Sequence, residues 1–405
     1  MKILVISDLH IGEVVRPKDL CPYPECAKLK EDENMVSSFI NICKENILNS
    51  GDFDYLVIPG DITNLSNLIE YEFGENLLNK IISELAIPLN KVIFVPGNHD
   101  IDWSILNGIP EEEKLLRSIH KYNTLKDKRH LFSSLAGNEL ITDPYIKVWQ
   151  FPELIFVGFN SSWHDDSQKN DHYGFISEEQ LTKLRKVLEE LPDKVPRIFI
   201  VHHHLIQLKN IVPEWIDLSA MQNGQDLFNL LSEYSVNFLI HGHRHVPHFT
   251  SLQTHNFNHI NLLCAGSFTR EIPSKIAGIV SNNFHIIQFD EFTEMQSKGK
   301  IFSYSYNNRN DWVESKSDKH QIDFINPFGN NHSIDSICIK VFELIKEKYN
   351  RERIIYYSTI IEHFEELIYL PLITQNILID RIIKEFDFAG ANSDEGEKIF
   401  INKKV

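Results

Sequence analysis

Five short segments hold the residues whose types and spacing could do chemistry. They are Asp8-Leu9-His10, Gly60-Asp61, Gly97-Asn98-His99-Asp100, His202-His203-His204 and Gly242-His243-Arg244-His245. Carboxylate mixed with imidazole suits first-row divalent ions such as Mn, Fe, Co, Ni or Zn. The lack of thiolate argues against a structural zinc site, and the abundance of nitrogen argues against Ca. In Asp8-x-His10 and His243-x-His245 the paired residues stand two apart, so at a strand end both can point the same way. Gly60, Gly97 and Gly242 let the backbone turn and bring the next side chain close to an ion. Seven such ligands are too many for one ion. Two ions sharing a carboxylate fit the count, and a pair about 3.5–4 Å apart is the arrangement that cleaves phosphate esters.

Elements of two kinds must position these segments. Residues 2–7, 54–59, 91–95, 154–159, 197–201 and 238–240 are short runs rich in Ile, Val, Leu and Phe, which predicts buried strands. Each chemical segment follows one of them, and ligands of open α/β sheets bind at the carboxyl ends of strands. Apolar residues at helical spacing predict helices over 31–49 and 68–85. A third starts at Ser177, with Gln180 completing a capping box. After Gly242, strands over 259–265, 283–289 and 301–306 follow without helices between them, so the sheet is mixed or the strands form a sandwich. Residues 308–332 are rich in Asn, Asp and Ser and are expected to form a linker after a domain of 1–307. Residues 333–405 are expected to form a small, mainly helical, winged-helix-like unit. Ser333 caps its first helix, 358–364 and 374–386 form two more, and a turn-rich loop over 388–396 precedes a strand at 398–402.

Composition narrows the function. The 405 residues carry 40 Lys and Arg against 57 Asp and Glu, a net charge of −17, so the chain is not a general binder of polyanions. The 333–405 unit is acidic too, which favours a protein partner or a dimer contact over DNA. Five scattered cysteines do not make a disulfide framework. Cys21 and Cys26 have the spacing of half a zinc site, but free thiols fit better because no second pair accompanies them. The apolar start at Met1 runs at once into Ser7-Asp8, unlike a signal peptide, and no run of about 18 apolar residues exists. A cytoplasmic protein is the expectation.

In order and type, the five segments resemble the motifs of the calcineurin-like metallophosphoesterases: D-x-H, G-D, G-N-H-D/E, H and G-H-x-H. The resemblance spans residues 1 to about 270. It implies an α/β fold built as a four-layer α-β-β-α sandwich. It implies two divalent ions, Mn first among the candidates, with Asp8, His10, Asp61 and His245 holding one. Asp61, Asn98, His203 and His243 would hold the other, Asp61 bridging. His99 is implied as the group that protonates the leaving oxygen, with Asp100 orienting its ring. The fourth segment is ambiguous. Leu205 replaces the Pro often found in the family, so register points to His203, with His202 as the alternative. Arg244 is expected to face substrate phosphate, and Trp103 or Trp163 to stack on a base.

Departures from subfamilies refine the substrate. Asp100 replaces the Glu of the protein Ser/Thr phosphatases, and Ile62-Thr63-Asn64 replaces their Asp-Arg-Gly. Asp8-x-His10-x-Gly12 is shared with the repair nucleases, whereas Gly60-Asp61-Ile62-Thr63 and Gly97-Asn98-His99-Asp100 are similar to the cyclic-nucleotide and other small phosphodiesterases. The insertion over 13–32 is expected to form a lid that favours a small or single-stranded substrate. The leading reading is a dinuclear phosphodiesterase for a nucleotide-like or other small diester. A metal-dependent nuclease is the alternative, and a non-catalytic scaffold is a third.

Overall fold

The computed structural model describes residues 1–125, 144–165, 172–207, 219–254, 259–307, 309, 311–330, 332–349, 351–393 and 397–404. They divide into two compact units: Met1–Gln296 with Ile301–Ile325, and Ser297–Lys300 with Asn326–Val405.

Two arrays, one of seven strands and one of six, carry the first unit. Its strands are β1 (Lys2–Val5), β2 (Tyr55–Ile58), β3 (Val92–Phe94), β4 (Ile146–Gln150), β5 (Ile155–Phe159), β6 (Arg197–Val201), β7 (Val236–His241), β8 (His248–Gln253), β9 (His259–Cys264), β10 (Asn283–Phe292), β11 (Ser297–Tyr306) and β12 (Trp312–Glu314). One array runs β12-β11-β10-β1-β2-β3, with a seventh strand (Ile325–Phe328) joined to β11, and the other runs β4-β5-β6-β7-β9-β8. β1, β2 and β3 are parallel, as are β5, β6, β7 and β9. The antiparallel strands β10 and β12, β4 and β8 lie outside these parallel cores.

Alternation along the strands builds the layers. Leu4, Leu56, Ile58 and Phe94 face a cluster completed by Met35, Phe39 and Cys43 of helix Met35–Ser50 and by Leu77, Leu78 and Ile81 of helix Leu68–Glu84. Val157, Phe199, Val201 and Leu239 face a second cluster with Leu184 and Leu188 of helix Glu178–Glu190 and Leu227 and Leu231 of helix Gly224–Glu233. The intervening residues bring the arrays face to face. Tyr55 of β2 meets Phe156 of β5 with ring centroids 5.0 Å apart, and Phe238 of β7 meets Phe289 of β10 at 5.3 Å. The result is the four-layer α-β-β-α sandwich that the motifs implied. The predicted capping box is present: Gln180 N donates to Ser177 Oγ at 3.2 Å, and Ser177 N to Gln180 Oε1 at 2.8 Å.

Two expectations from composition are corrected. Residues 308–332 contain β12, a helical turn Ser317–His320 and β13 (Ile325–Phe328). Trp312 and Phe328 are 3% and 1% exposed, so this polar-looking stretch is anchored by its few apolar residues and is not a loop throughout, while the boundary between the two units falls inside it, after Ile325. In the second unit, part of the expected loop over 388–396 is a strand, anchored by the buried Phe388. β14 (Ile354–Tyr356), β15 (Phe388–Asn392) and β16 (Lys398–Asn402) form an antiparallel sheet in the order β14-β16-β15. Helices Ile334–Leu344, Tyr357–His363 and Leu372–Phe386 pack on it through Val341, Ile360, Leu378, Ile382 and Phe400. Ser333 Oγ caps the first of them, accepting from Ser336 N at 3.2 Å.

The closeness of the sheets gives a test. A Cβ on Gly158 of β5 would lie 2.7 Å from Val95 Cγ1 and 2.8 Å from Trp149 Cζ3. Gly158→Ala is expected to destabilise the first unit by about 1–3 kcal/mol through overpacking, read as a lower midpoint in urea denaturation.

Candidate metal centre

The parallel strands of both sheets end on one cluster. β1 leads to Asp8 and His10, β2 to Asp61, β3 to Asn98-His99-Asp100, β6 to His202, and β7 to His243 and His245. Backbone hydrogen bonds continue past the strands and set the register: Asp8 N donates to the Gly60 carbonyl at 3.1 Å, and His10 N to that of Asp61 at 3.0 Å.

Spacing of two does not by itself aim these side chains. Asp8, His10, Asp61, His243 and His245 all have left-handed backbone, with φ between 50° and 70°. Such conformations cost about 1–3 kcal/mol each in bulky residues and gather at functional sites. Asp and His tolerate them better than most. Two of the glycines serve close approach instead. A Cβ on Gly97 would lie 2.2 Å from Asp61 Oδ1, and one on Gly242 would lie 2.4 Å from Asp8 Oδ2.

Two donor groups result. Asp8, His10, Asp61 and His245 place ligand atoms within 4.8 Å of one another, and so do Asp61, His202 and His243. His10 Nε2 lies 2.9 Å from His245 Nε2 and 3.4 Å from Asp61 Oδ2. Asn98 Oδ1 lies 3.0 Å from His202 Nε2 and 2.9 Å from His243 Nδ1. Asp61 belongs to both groups, and its Oδ2 is buried without a hydrogen-bond partner.

Electrostatics favour cation binding. Burial opposes ionisation of Asp61, yet His202, His99 and His10 around it hold its carboxyl well below the usual range. Burial, then neighbouring imidazoles, push His10 and His243 well below the ordinary imidazole value. Burial and then Arg270 lower His245. His202 goes the other way: against burial, the Asp61 charge pushes it up to about 9, so an ionised carboxylate stands beside one chargeable imidazole and several that burial keeps neutral. The donor set fits two borderline divalent ions sharing Asp61.

The structure corrects three assignments. His202 turns to the cluster in place of His203. The Pro59 carbonyl contacts His202 Nδ1 at 2.8 Å, which leaves Nε2 facing Asn98 and Asp61, whereas His203 Nδ1 is held at 2.7 Å by Ser161 Oγ. Asp100 does not receive the His99 ring. It accepts from the backbone N–H groups of Asp61, Ile62, Thr63 and Gly97 at 2.8–3.1 Å, and the Asn64 carbonyl takes His99 Nδ1 at 2.8 Å. Burial and the Asp61 charge push Asp100 up to about 7. Trp163 is core: it stacks on Tyr122 at 5.7 Å and meets Tyr145 edge-on.

A cavity of about 290 Å³ opens on the cluster, lined by Asp61, His99, His243, Arg244 and His245 together with Arg270 and His172. Trp103 backs it, edge-on to His99 at 5.1 Å and stacked on His172 at 4.7 Å. The insertion over 13–32 does not cover this cavity. Glu13, Arg16, Cys26 and Lys30 line a neighbouring one of about 950 Å³, which shares Glu271 and Ile272 with it. Arg270 was missed in the sequence. Its Nη1 lies 2.6 Å from His245 Nδ1, and it follows β9, so the strand-end rule applied once more would have found it.

Comparison with known proteins agrees with this geometry. The family model described as calcineurin-like phosphoesterase matches residues 1–247. A probable glycerophosphodiester phosphodiesterase of Arcobacter nitrofigilis is 29% identical, over 62% of this chain and 78% of that protein. A 3',5'-cyclic-nucleotide phosphodiesterase of a Nostoc species is 26% identical, over 52% of this chain and 62% of its own length. A 3',5'-cyclic adenosine monophosphate phosphodiesterase of Vibrio vulnificus is 21% identical, over 60% of this chain and 70% of its own. With its motifs on strand ends and its carboxylate–imidazole cluster at their meeting point, this chain belongs to the calcineurin-like phosphoesterase family and is a hydrolase of phosphoric ester bonds.

Proposed function

We propose that the chain is a dinuclear metal-dependent phosphodiesterase for a small, nucleotide-like or glycerol-type diester. The convergence of six donors on the shared Asp61 carries this reading. Asp8, His10, Asp61 and His245 would hold one ion; Asp61, Asn98, His202 and His243 would hold the other. Bound there, the pair would supply Lewis acidity toward phosphoryl oxygens and acidify water at neutral pH.

The chain's own residues do the rest. Arg270 and Arg244 line the cavity and offer guanidinium forks to phosphate oxygens. His99 hands a proton to the departing oxygen from Nε2, since its Nδ1–H is committed to the Asn64 carbonyl. Trp103 closes the wall behind His99 and limits water there. A cavity of about 290 Å³ fits a small ester rather than a duplex. The relatives named above are phosphodiesterases of glycerophosphodiesters and cyclic nucleotides, which supports the same class. The second unit, with Ile373 72% exposed on its last helix, is read as a surface for a protein contact.

Hydrolysis of bis-p-nitrophenyl phosphate, a 3',5'-cyclic nucleotide, a glycerophosphodiester and p-nitrophenyl phosphate tests the reading. Mn is expected to support cleavage of the diesters over the monoester, and EDTA to abolish it; a preference for the monoester would refute the diester assignment. Metal content tests the ligands separately. His202→Ala is expected to lower bound Mn from about two ions per chain toward about one, measured by plasma emission after dialysis. His203→Ala is expected to retain both.

A further inference from the structure

Glu70 is a buried carboxylate that the reaction above does not use. It is fully buried at the start of helix Leu68–Glu84, yet among the described residues no lysine or arginine pairs with it. Its Oε2 accepts from Asn64 N at 3.0 Å and Leu65 N at 2.7 Å. Its Oε1 accepts from Tyr23 Oη at 2.8 Å, and Tyr23 Oη in turn accepts from Asn67 Nδ2 at 2.7 Å. These bonds end on the residue whose carbonyl fixes His99: Asn64 supplies both the amide that Glu70 holds and the oxygen that His99 Nδ1 meets at 2.8 Å.

The other side of the same loop is pinned by the first motif. Asn64 N also donates to the Ile11 carbonyl at 3.0 Å, and Ile11 N to that of Ile62 at 2.9 Å. Between the two clamps sits Gly12, with φ +150°. A Cβ there would lie 2.7 Å from Glu70 Oε1 and 2.7 Å from Asn64 Cβ. The Gly of Asp-x-His-x-Gly is thus the space through which Glu70 reaches the loop. Tyr23 lies in the 13–32 insertion, so the insertion touches the site through this carboxylate and not as a cover.

We propose that Glu70, braced by Tyr23, is a positioning residue that sets the His99 ring through the Asn64 carbonyl. This rests on the proposed role of His99 as proton donor to the leaving oxygen. The chain of contacts acts on one atom's placement, and a misplacement of about 1 Å costs about 100-fold in a positioned reaction. The loss should therefore fall on leaving groups that need a proton. A nitrophenolate leaves without one; a phenolate gains from one.

The test is a series of symmetric diaryl phosphates, bis-p-nitrophenyl, bis-p-chlorophenyl and diphenyl phosphate, assayed with the Mn-loaded full chain. Glu70→Ala is expected to lower kcat for diphenyl phosphate by about 10–100-fold while changing bis-p-nitrophenyl phosphate several-fold less. Bound Mn and KM should stay near those of the parent. Glu70→Gln keeps an oxygen for both amides and should recover most of the loss. Should Glu70→Ala not fold, Tyr23→Phe removes only the brace and should show the same leaving-group dependence at smaller size. His99→Ala is the control. If His99→Ala steepens the dependence and neither the Glu70 variant nor the Tyr23 variant does, Glu70 merely staples the loop and the inference is overturned. If His99→Ala leaves the dependence unchanged, the proton-donor reading itself fails and Glu70 has nothing to position.

Discussion

The buried carboxylate of Asp61 is the constraint from which the rest of the site follows. It is fully buried, it belongs to both donor groups, and its Oδ2 lacks a hydrogen-bond partner. Removing such a charge from water carries a penalty of several kcal/mol after relaxation, so something positive must face it. Here the facing atoms are imidazole nitrogens: burial opposes the protonation of His10 and His243, while the Asp61 charge favours it at His202. Bound cations would bring the balancing charge and free the His202 ring to act as a donor. Five residues in left-handed backbone are the conformational cost of aiming that many donors at one point. The two apolar clusters on the outer faces of the sheets are the reservoir that offsets it.

Asp100 shows how the neighbouring loops stay in place. Four backbone N–H groups from the segments after β2 and β3 converge on its two oxygens. Satisfied amides are worth more here than in water, because a lost acceptor would leave several buried donors unmade at once. Asp100 therefore organises the loops, while ring orientation falls to the Asn64 carbonyl. The acid of the Asn-His-Asp segment and its histidine cooperate through the backbone, without touching ring to carboxylate.

Much of this was legible in the sequence, for physical reasons. Strands buried on both faces appear as unbroken apolar runs, so β1, β2, β5, β6 and β7 were visible, and chemical residues directly after such runs marked the site. What stayed hidden depends on rotation about a few bonds. His202 and His203 are neighbours of the same type, and only the Pro59 carbonyl and Ser161 hydroxyl decide which ring enters the cluster. Asp100 was misassigned because composition does not reveal that nearby amides, more numerous than ring nitrogens, would claim its oxygens. Trp163 follows a strand end like the site residues, but Tyr122 and Tyr145 draw it into the core. The stretch 308–332 read as linker because its polar residues outnumber Trp312, Ile322 and Phe328, although those three are what anchor it.

Charge resolves the last tension. The chain carries −17, yet its substrates are anions. At physiological ionic strength fields decay over about 8 Å, so the net charge governs distant approach and the lining of the cavity governs capture. Arg244, Arg270 and His172 stand at that lining. Burial lowers the Arg270 guanidinium somewhat, but Asp61 and Asp8 oppose that shift and help keep it a cation. A small anion feels these groups over most of its surface once inside. A polyanion leaves most of its charges outside, against an acidic exterior. The same two facts, global repulsion and local attraction, support the proposed compact ester over long nucleic acid.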